Sequence, residues 1–173
     1  MTLTHSTQRL LLLRHAKAEP AGAVTDHMRP LALRGRKQAR AVAEVLVTHN
    51  LIPDAVLVSS AVRTKQTWEI LAGGFDHAPA KVSFHDDLYV AGVDDVLKLV
   101  ATTHGSTVLV VGHEPTMSAV AEQLAGDGSS QDAYAQVRLG IPTATLCVLE
   151  SDQPFGQWEA RGVTLTQVIR PEH

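Results

Sequence analysis

The length, composition and charge of the chain exclude several classes of protein. With 173 residues, 45% of them hydrophobic, and a mean hydropathy of +0.02, the chain has the composition of a folded globular protein, and it does not resemble a disordered or membrane-embedded one. A formal net charge of −3 provides no broad positive field, so nucleic-acid binding is not expected. We expect a single domain, residues 1–173, around one core of ordinary size.

The cysteine content and the length of the apolar runs indicate the compartment. Cys147 is the one cysteine, so no intramolecular disulfide can form, which suits a reducing environment. The longest early apolar run, residues 10–13, is far too short to span a membrane, and Arg14 follows it directly. We therefore expect a cytoplasmic protein that does not contact a membrane.

Apolar runs of strand length alternate with stretches of helical spacing along the chain. The predicted strands cover residues 10–13, 55–58, 82–84, 108–111 and 144–149, and the predicted helices cover residues 33–48, 61–71, 93–102 and 116–124. This alternation is typical of a mainly parallel sheet with helices on both faces. The fold class predicted from it is α/β.

Turn-forming residues mark the boundaries of these elements. Ser59 and Ser60 are predicted to cap the helix at 61–71. Residues 126–132, rich in Gly, Ser and Asp, are predicted as a surface loop. After a turn at 152–154, residues 155–161 are predicted as an antiparallel hairpin partner, which would make the sheet mixed. The tail after Leu165 has no predicted element.

Charged and imidazole side chains follow three of the predicted strands. Arg14 and His15 follow the strand at 10–13, Arg63 comes soon after the strand at 55–58, and His113 follows the strand at 108–111. Ligands bind at the carboxyl ends of the strands in an open parallel sheet. Each side chain alone is more often a surface residue without a specific role, but four of them at one edge indicate a site.

These four residues suit phosphoryl transfer, in which charge lies on the peripheral oxygens of the transferred group. Arg14 and Arg63 would supply planar, permanently charged donors that bind oxygens in pairs. A neutral His15 would offer a lone pair for attack if its other ring nitrogen were held by a hydrogen bond, for which a backbone carbonyl is the expected acceptor. His113 would donate to the phosphoryl oxygens. Arg14, Arg63 and His113 are thus the predicted substrate-binding residues. These three and His15 are also predicted catalytic residues.

Three motifs in chain order resemble those of the histidine phosphatase superfamily, which has a phosphoglycerate mutase-like fold. The motifs are residues 12–16, 59–67 and 111–115, and Arg29, Pro30 and Leu31 with Gly35 and Gln38 are similar to the bacterial phosphohistidine phosphatases of the SixA type. The resemblance implies a three-layer α/β/α sandwich with a mostly parallel mixed sheet. It also implies that His15 is the nucleophile of a covalent phosphohistidine intermediate and that Arg14, Arg63 and His113 line the phosphate pocket.

Two positions depart from the pattern of the family. Ala16 stands where many relatives have glycine, and this change is expected only to tighten the turn. Glu114 stands where related short phosphatases often have a small or apolar residue. Its carboxylate is expected either to weaken the binding of highly charged phosphates or to cap the following helix.

The general acid that would protonate the leaving group is open. Asp87 is the first candidate, because it follows the predicted strand at 82–84, where the resemblance places an acidic residue. A turn-forming or solvated loop carboxylate is nearly as good an interpretation of Asp87. Asp26 and Glu19, on the polar loop after His15, are the alternatives.

The predicted function is a phosphatase that hydrolyses a phosphate monoester or a phosphoramidate through the phosphohistidine on His15. A protein phosphohistidine phosphatase is favoured by the resemblance alone. The alternatives are a broad-specificity small-molecule phosphatase or a mutase, and a non-catalytic phosphate-binding module, which would not need His15. The expected partner is a phosphorylated protein or small molecule, and the chain is expected to be a monomer or a weak dimer.

No metal or cofactor is predicted. The histidines are scattered, and His113-Glu114 lacks the second histidine of a zinc-protease motif because residue 117 is Met. Neither a Walker-type loop nor a complete dinucleotide-binding glycine motif occurs in the sequence.

Overall fold

A mixed sheet forms the centre of the molecule in the computed structural model, which describes residues 6–77, 79 and 81–171. Within these residues the sheet has six strands: β1 (Gln8–Arg14), β2 (Ala55–Ser59), β3 (Lys81–His85), β4 (Thr107–Gly112), β5 (Leu146–Ser151) and β6 (Thr164–Ile169). Their order across the sheet is β3-β2-β4-β1-β5-β6. The first four strands run parallel, and β5 and β6 are antiparallel to their neighbours.

Helices cover both faces of the sheet. They are α1 (Leu33–Thr48), α2 (Val62–Gly73), α3 (Val93–Ala101), α4 (Thr116–Leu124) and α5 (Gln131–Arg138), with short 3₁₀ turns at Asp26–Met28, Asp86–Leu88 and Phe155–Gln157. The buried residues form two apolar clusters: one joins the sheet to α1 and α2, and the other joins it to α3, α4 and α5. The three-layer α/β/α architecture predicted from the sequence is therefore confirmed.

The central strand β1 shows why the run of four leucines forms this element. Leu10 and Leu12 belong to one apolar cluster, and Leu11 and Leu13 belong to the other. Successive side chains of a strand point to opposite faces, so a continuous apolar run suits a strand that is covered on both faces. All four leucines are fully buried.

The parallel pairing brings the ends of three strands to one edge of the sheet. In the register of β1 and β4, Arg14 is the partner of Gly112, and in that of β2 and β4, Val58 is the partner of Val111. The residues that follow these strands therefore emerge side by side. This edge carries the candidate site.

Two predictions near the C-terminus are wrong. Residues 155–161 do not form the antiparallel partner of β5; that partner is β6, in the tail without a predicted element. Phe155 begins a 3₁₀ turn instead, and its ring packs 4.9 Å from that of Trp158, a contact that this turn allows and that alternating strand geometry does not. The strand β5 also begins later than predicted, at Leu146, because Ala144 has a left-handed backbone with φ of 57°.

The loop predicted at residues 126–132 ends earlier than expected, since α5 begins at Gln131. Ser130 caps this helix by accepting a hydrogen bond from the backbone N–H of Ala133 at 3.2 Å. Only Ala133 and Val137 of α5 are buried, so its apolar stripe is too sparse to predict a helix. Across the described residues, no helix is both long and apolar enough to cross a membrane.

Candidate active site

His15 lies at the centre of the candidate site, directly after β1, with only 8% of its surface exposed. Its Nδ1 lies 2.7 Å from the carbonyl oxygen of Ala16. A carbonyl only accepts hydrogen bonds, so Nδ1 carries a proton and Nε2 of the neutral ring keeps its lone pair. The predicted backbone acceptor for this imidazole is therefore present.

The surroundings of His15 favour its neutral form. Burial, as the largest cause, and the nearby His113, Arg63 and Arg14 together lower the pKa of His15 to about 3, against the opposing effect of the Ala16 carbonyl. At neutral pH the imidazole is uncharged. This is the protonation state that a histidine nucleophile requires.

Arg63 is the second residue of α2, and only 6% of its surface is exposed. Its Nη1 donates to the carbonyl oxygen of Asp26 at 2.8 Å, and its Nη2 donates to Oδ2 of Asp26 at 3.1 Å. Thr67, one turn further along α2, donates to the carbonyl of Arg63 at 2.7 Å and accepts from the N–H of Ala16 at 3.1 Å. The Thr67 hydroxyl thus links α2 to the chain that leaves β1.

His113 faces His15 across the site, with 5.4 Å between the ring centroids. Nη2 of Arg63 lies 3.4 Å from Nδ1 of His113. Because a guanidinium only donates, Nδ1 accepts here, and Nε2–H donates to Oγ of Ser59 at 2.8 Å. Burial first and Arg63 second lower the pKa of His113 to about 4, so this ring is also neutral at neutral pH.

Arg14 is half-buried beside the two histidines, and its Nη1 donates to the carbonyl of Ile141 at 2.9 Å. Burial lowers its pKa, and the Glu114 carboxylate opposes that effect. Among the residues that the structure describes, Nε of Arg14 and Nε of Arg63 are buried donors without a hydrogen-bond partner. The structure therefore places Arg14, His15, Arg63 and His113 together, as predicted.

Further side chains at this edge were not predicted as site residues. Ser59 and Ser60 do not cap α2 as expected: the hydroxyl of Ser59 contacts His113, and that of Ser60 lies 3.0 Å from Nε2 of His27. The ring of Tyr89 packs edge-on at 5.6 Å from His113 and at 4.8 Å from His27. Their position directly after the predicted strand at 55–58, beside Arg63 in the sequence, was the signal that could have identified them as site residues.

The loop between β1 and α1 brings Asp26 to this edge. Two backbone hydrogen bonds close the loop, from Glu19 N to Pro30 O at 2.8 Å and from Ala32 N to Lys17 O at 2.9 Å. Gly35 allows this closure, because a Cβ at that position would lie 2.0 Å from the carbonyl oxygen of Lys17.

The three candidates for the general acid lie in different surroundings. The carboxylate of Asp26 accepts from Tyr89, Arg63 and Arg29, and these contacts, that of Tyr89 first, lower its pKa to about 2. Asp87 is exposed and lines a surface cavity beside α3 with Leu88 and Asp95.

Glu19 is also exposed, and its main-chain carbonyl accepts from Arg29 at 2.8 Å. Of the three candidates, only Asp26 has a described contact with one of the four central residues, and it is ionised. In the part of the chain that the structure describes, no three His, Cys, Asp or Glu side chains are grouped so that they could hold a metal ion.

Comparison with known proteins identifies the family of the chain. A family model for the histidine phosphatase superfamily (branch 1) matches residues 10–89. An uncharacterized protein of Mycobacterium leprae (strain TN) is 35% identical over 153 residues, which are 85% of this chain and 90% of that protein. The solved structure of a candidate phosphohistidine phosphatase SixA from Nakamurella multipartitia is 35% identical, with a TM-score of 0.83, and the match covers 95% of this chain and 96% of that one. The chain belongs to the histidine phosphatase superfamily.

Within this superfamily, the chain is of the SixA type. A second solved structure of a candidate SixA phosphatase, from Agrobacterium tumefaciens, is 30% identical with a TM-score of 0.79 over 95% of this chain and 98% of that one. Membership of the histidine phosphatases supports a phosphatase activity and a phosphorylated substrate.

Proposed function

We propose that this histidine phosphatase removes phosphoryl groups from phosphohistidine side chains of proteins, with His15 as the nucleophile. The observation that carries the proposal is the hydrogen bond from Nδ1 of the buried His15 to the carbonyl of Ala16 at 2.7 Å. This bond holds the ring and leaves Nε2 as the only basic nitrogen. A residue that only bound phosphate would gain nothing from such a neutral, oriented imidazole.

In the proposed reaction, Nε2 of His15 attacks the phosphorus of the substrate, and the bond from phosphorus to the leaving atom breaks. The leaving group keeps the bonding electron pair and takes up a proton. Water then attacks the phosphorus of phosphorylated His15, and the phosphorus–nitrogen bond breaks. Inorganic phosphate leaves, and neutral His15 is restored.

The cationic and donor groups around His15 would stabilise the charge of the transferred group. Arg14 and Arg63 would supply charged guanidinium donors to the phosphoryl oxygens, and Nε of each has no hydrogen-bond partner among the described residues. His113 is neutral in the free protein with a pKa of about 4, and a dianion bound beside it would raise that pKa and favour the doubly protonated, donating ring. His113 would thus become a charged donor only when the phosphoryl group is in place.

The ionisation of the nearby carboxylate supports a phosphohistidine substrate over an ordinary phosphate ester. An alkoxide leaving group needs a proton from the enzyme, whereas the imidazole of a phosphohistidine leaves readily once it is protonated. Asp26 has a pKa of about 2 and is committed to Arg63 and Tyr89, so it holds no proton to give at neutral pH. This site is therefore better suited to a leaving group that needs little acid catalysis.

A direct comparison of substrates tests the proposal. Purified protein is offered a phosphohistidine-bearing protein domain and, separately, para-nitrophenyl phosphate and a panel of phosphorylated metabolites, and the release of inorganic phosphate is measured. We expect the highest kcat/KM with the phosphoprotein and no turnover of any substrate by His15→Ala.

The matched control is His104→Ala, because His104 is exposed and lies before β4, at the opposite edge of the sheet. This variant should turn over all substrates like the wild type. A metabolite hydrolysed with a higher kcat/KM than the phosphoprotein would replace the proposed substrate by the broad-specificity alternative. A wild-type protein that binds phosphate but turns nothing over would leave only the binding-module reading.

A further inference from the structure

The carboxylate of Glu114 connects α4 with the loop between α5 and β5. Its Oε1 accepts from the backbone N–H of Ser118 at 2.8 Å, and its Oε2 accepts from Oγ of Ser118 at 2.7 Å. The same Oε2 also accepts from the backbone N–H of Ile141 at 3.0 Å. Both oxygens are thus engaged, and hydrogen bonds to an ionised group are among the stronger ones in proteins.

The loop that Glu114 holds is the loop that contacts Arg14. The carbonyl of Ile141 accepts from Nη1 of Arg14 at 2.9 Å, so the two polar groups of one buried residue connect Glu114 to the guanidinium. A few residues further on, the N–H of Ala144 lies 3.1 Å from the carbonyl of Arg14 and 3.1 Å from that of His15. The loop therefore contacts both the side chain and the backbone of the segment that carries the nucleophile.

Gly140 adds a close approach at the same place. Its backbone is left-handed, with φ of +86°, and a Cβ there would lie 3.3 Å from Oε2 of Glu114. A residue with a side chain would be strained at this φ and would press on the carboxylate. The path of the loop and the position of Glu114 thus depend on each other.

We infer that Glu114 is a positioning residue, which acts through Ile141 to hold the guanidinium of Arg14 in the orientation that binds the phosphoryl group. The inference rests on the proposed function, because it takes Arg14 as a phosphate ligand. The sequence-based expectations for Glu114 were weaker phosphate binding or a cap on α4. Glu114 does accept from the α4 backbone at Ser118, but its Oε2 also accepts from Ile141 N–H, which connects this helix to the loop that contacts Arg14. Glu114 also opposes the lowering of the pKa of Arg14 by burial.

Four variants separate positioning from helix capping and from charge repulsion. We compare Glu114→Ala, Glu114→Gln, Ser118→Ala and Gly140→Ala, measuring the inhibition constant of inorganic phosphate against para-nitrophenyl phosphate turnover, kcat and KM separately, and the melting temperature. In Glu114→Gln, an amide oxygen at the Oε2 position can still accept from Ile141 N–H and from Oγ of Ser118, whereas the NH2 group at the Oε1 position faces the backbone N–H of Ser118, which is also a donor. This variant therefore keeps the link to the loop and loses the contact to the α4 backbone. Ser118→Ala removes a contact at the α4 end and leaves the Ile141 contact.

If Glu114 positions Arg14, Glu114→Ala raises the inhibition constant and KM by about fivefold or more, because the Arg14 carbonyl partner is no longer held. Glu114→Gln recovers most of that affinity, to within about twofold of the wild type. Ser118→Ala lowers the melting temperature and leaves the inhibition constant unchanged. In Gly140→Ala, the added Cβ would displace the Glu114 carboxylate from Ile141, so this variant also raises the inhibition constant.

Two outcomes overturn the inference. Tighter phosphate binding by both Glu114 variants would mean that the carboxylate only repels the anion. Unchanged phosphate binding in Glu114→Ala and Gly140→Ala, with a lower melting temperature, would mean that Glu114 is only a helix cap. Either outcome leaves the proposed function standing as long as the wild-type protein turns over substrate, whereas a wild type without turnover refutes the proposed function itself.

Discussion

Asp26 occupies both terminal nitrogens of Arg63: its carbonyl oxygen lies 2.8 Å from Nη1, and its Oδ2 lies 3.1 Å from Nη2. The guanidinium that is proposed to bind phosphate therefore carries an internal anion in this structure. The carboxylate stays ionised down to a pH of about 2, with Tyr89 as the first cause and Arg63 among the others. A substrate dianion that approaches Arg63 meets this negative charge.

Asp26→Asn is therefore expected to tighten the binding of inorganic phosphate. The asparagine oxygen and the main-chain carbonyl still accept from Arg63, but the like charge beside the dianion is removed. The Asp26 side chain is 53% exposed, so solvent screens its charge, and we expect a gain of only about two- to fivefold in affinity. Competitive inhibition by phosphate at low ionic strength measures it, and the gain should shrink as salt is added.

Asp86→Asn is the control for this prediction. Asp86 is an exposed carboxylate of the neighbouring 3₁₀ turn. Asp86→Asn removes the same charge at a position that has no described contact with Arg63. It should change phosphate affinity less than Asp26→Asn does. Weaker binding by Asp26→Asn would show instead that the carboxylate is needed to orient Arg63.

Arg63→Lys is expected to lower kcat/KM by about 100-fold or more, because a point charge replaces a planar fork at the charge that develops in the transition state. Steady-state kinetics with a small phosphate ester measures this loss. Arg40→Lys, an equivalent change on the exposed surface of α1, should leave kcat/KM unchanged. Unaltered kinetics in Arg63→Lys would place Arg63 outside the phosphate site.

The depressed pKa of His15 predicts how stability depends on pH. In the folded protein this pKa is about 3, against an ordinary value of 6.5, so between these pH values the unfolded chain binds a proton that the folded protein does not. The free energy of unfolding should therefore fall as pH is lowered from about 6.5 towards 3, by up to about 1.4 kcal/mol per pH unit from this group. His113, with a pKa of about 4, adds a contribution of the same sign.

Urea unfolding at pH 7, 6 and 5 measures this dependence. His15→Asn should flatten it by up to the equivalent of one proton, a difference that is small at pH 7 and is approached at pH 5, because the titrating group is removed. His104→Asn, at an exposed position, is the control and should leave the slope as it is. Parallel profiles for the wild type and His15→Asn would contradict the low pKa.

The sequence was sufficient to predict the meeting of His15, Arg63 and His113 because each follows a parallel strand within a few residues. Parallel strands of one sheet end at a common edge, so the order of the elements alone brings such residues together. The buried apolar runs that identify the strands were equally clear. In these segments, the structure formed in the folded protein is the one that the local sequence pattern favours.

Other parts of the fold and the site could not be predicted because their determinants are not local. Asp26 reaches Arg63 only through the closure of the long β1–α1 loop, which has no periodic pattern, and Tyr89 reaches Asp26 from 63 residues away. In β6, Leu165 is the one fully buried residue among polar or partly exposed neighbours, so the alternation is too weak to identify a strand.

The hydroxyl of Thr67 provides a test of how the site is held together. It is fully buried, accepts from Ala16 N–H and donates to the carbonyl of Arg63. Thr67→Val keeps the shape of the side chain and leaves the buried N–H of Ala16 unpaired, whereas the Arg63 carbonyl keeps its helical bond from the backbone N–H of Thr67. We therefore expect a loss of about 1–3 kcal/mol in the free energy of unfolding. Thr102→Val, at an exposed helix end, should change it by less than about 0.5 kcal/mol. Equal losses in the two variants would mean that the Thr67 link contributes nothing specific.

The most direct test of the account is to trap the phosphorylated enzyme. The protein is mixed with a labelled phosphoryl donor, quenched within milliseconds under alkaline conditions that preserve phosphohistidine, digested and analysed by mass spectrometry. We predict a phosphoryl group on His15, absent from His15→Ala and present in His104→Ala. Substrate turnover with no label on the protein, or a label on another residue that persists in His15→Ala, would contradict His15 as the nucleophile.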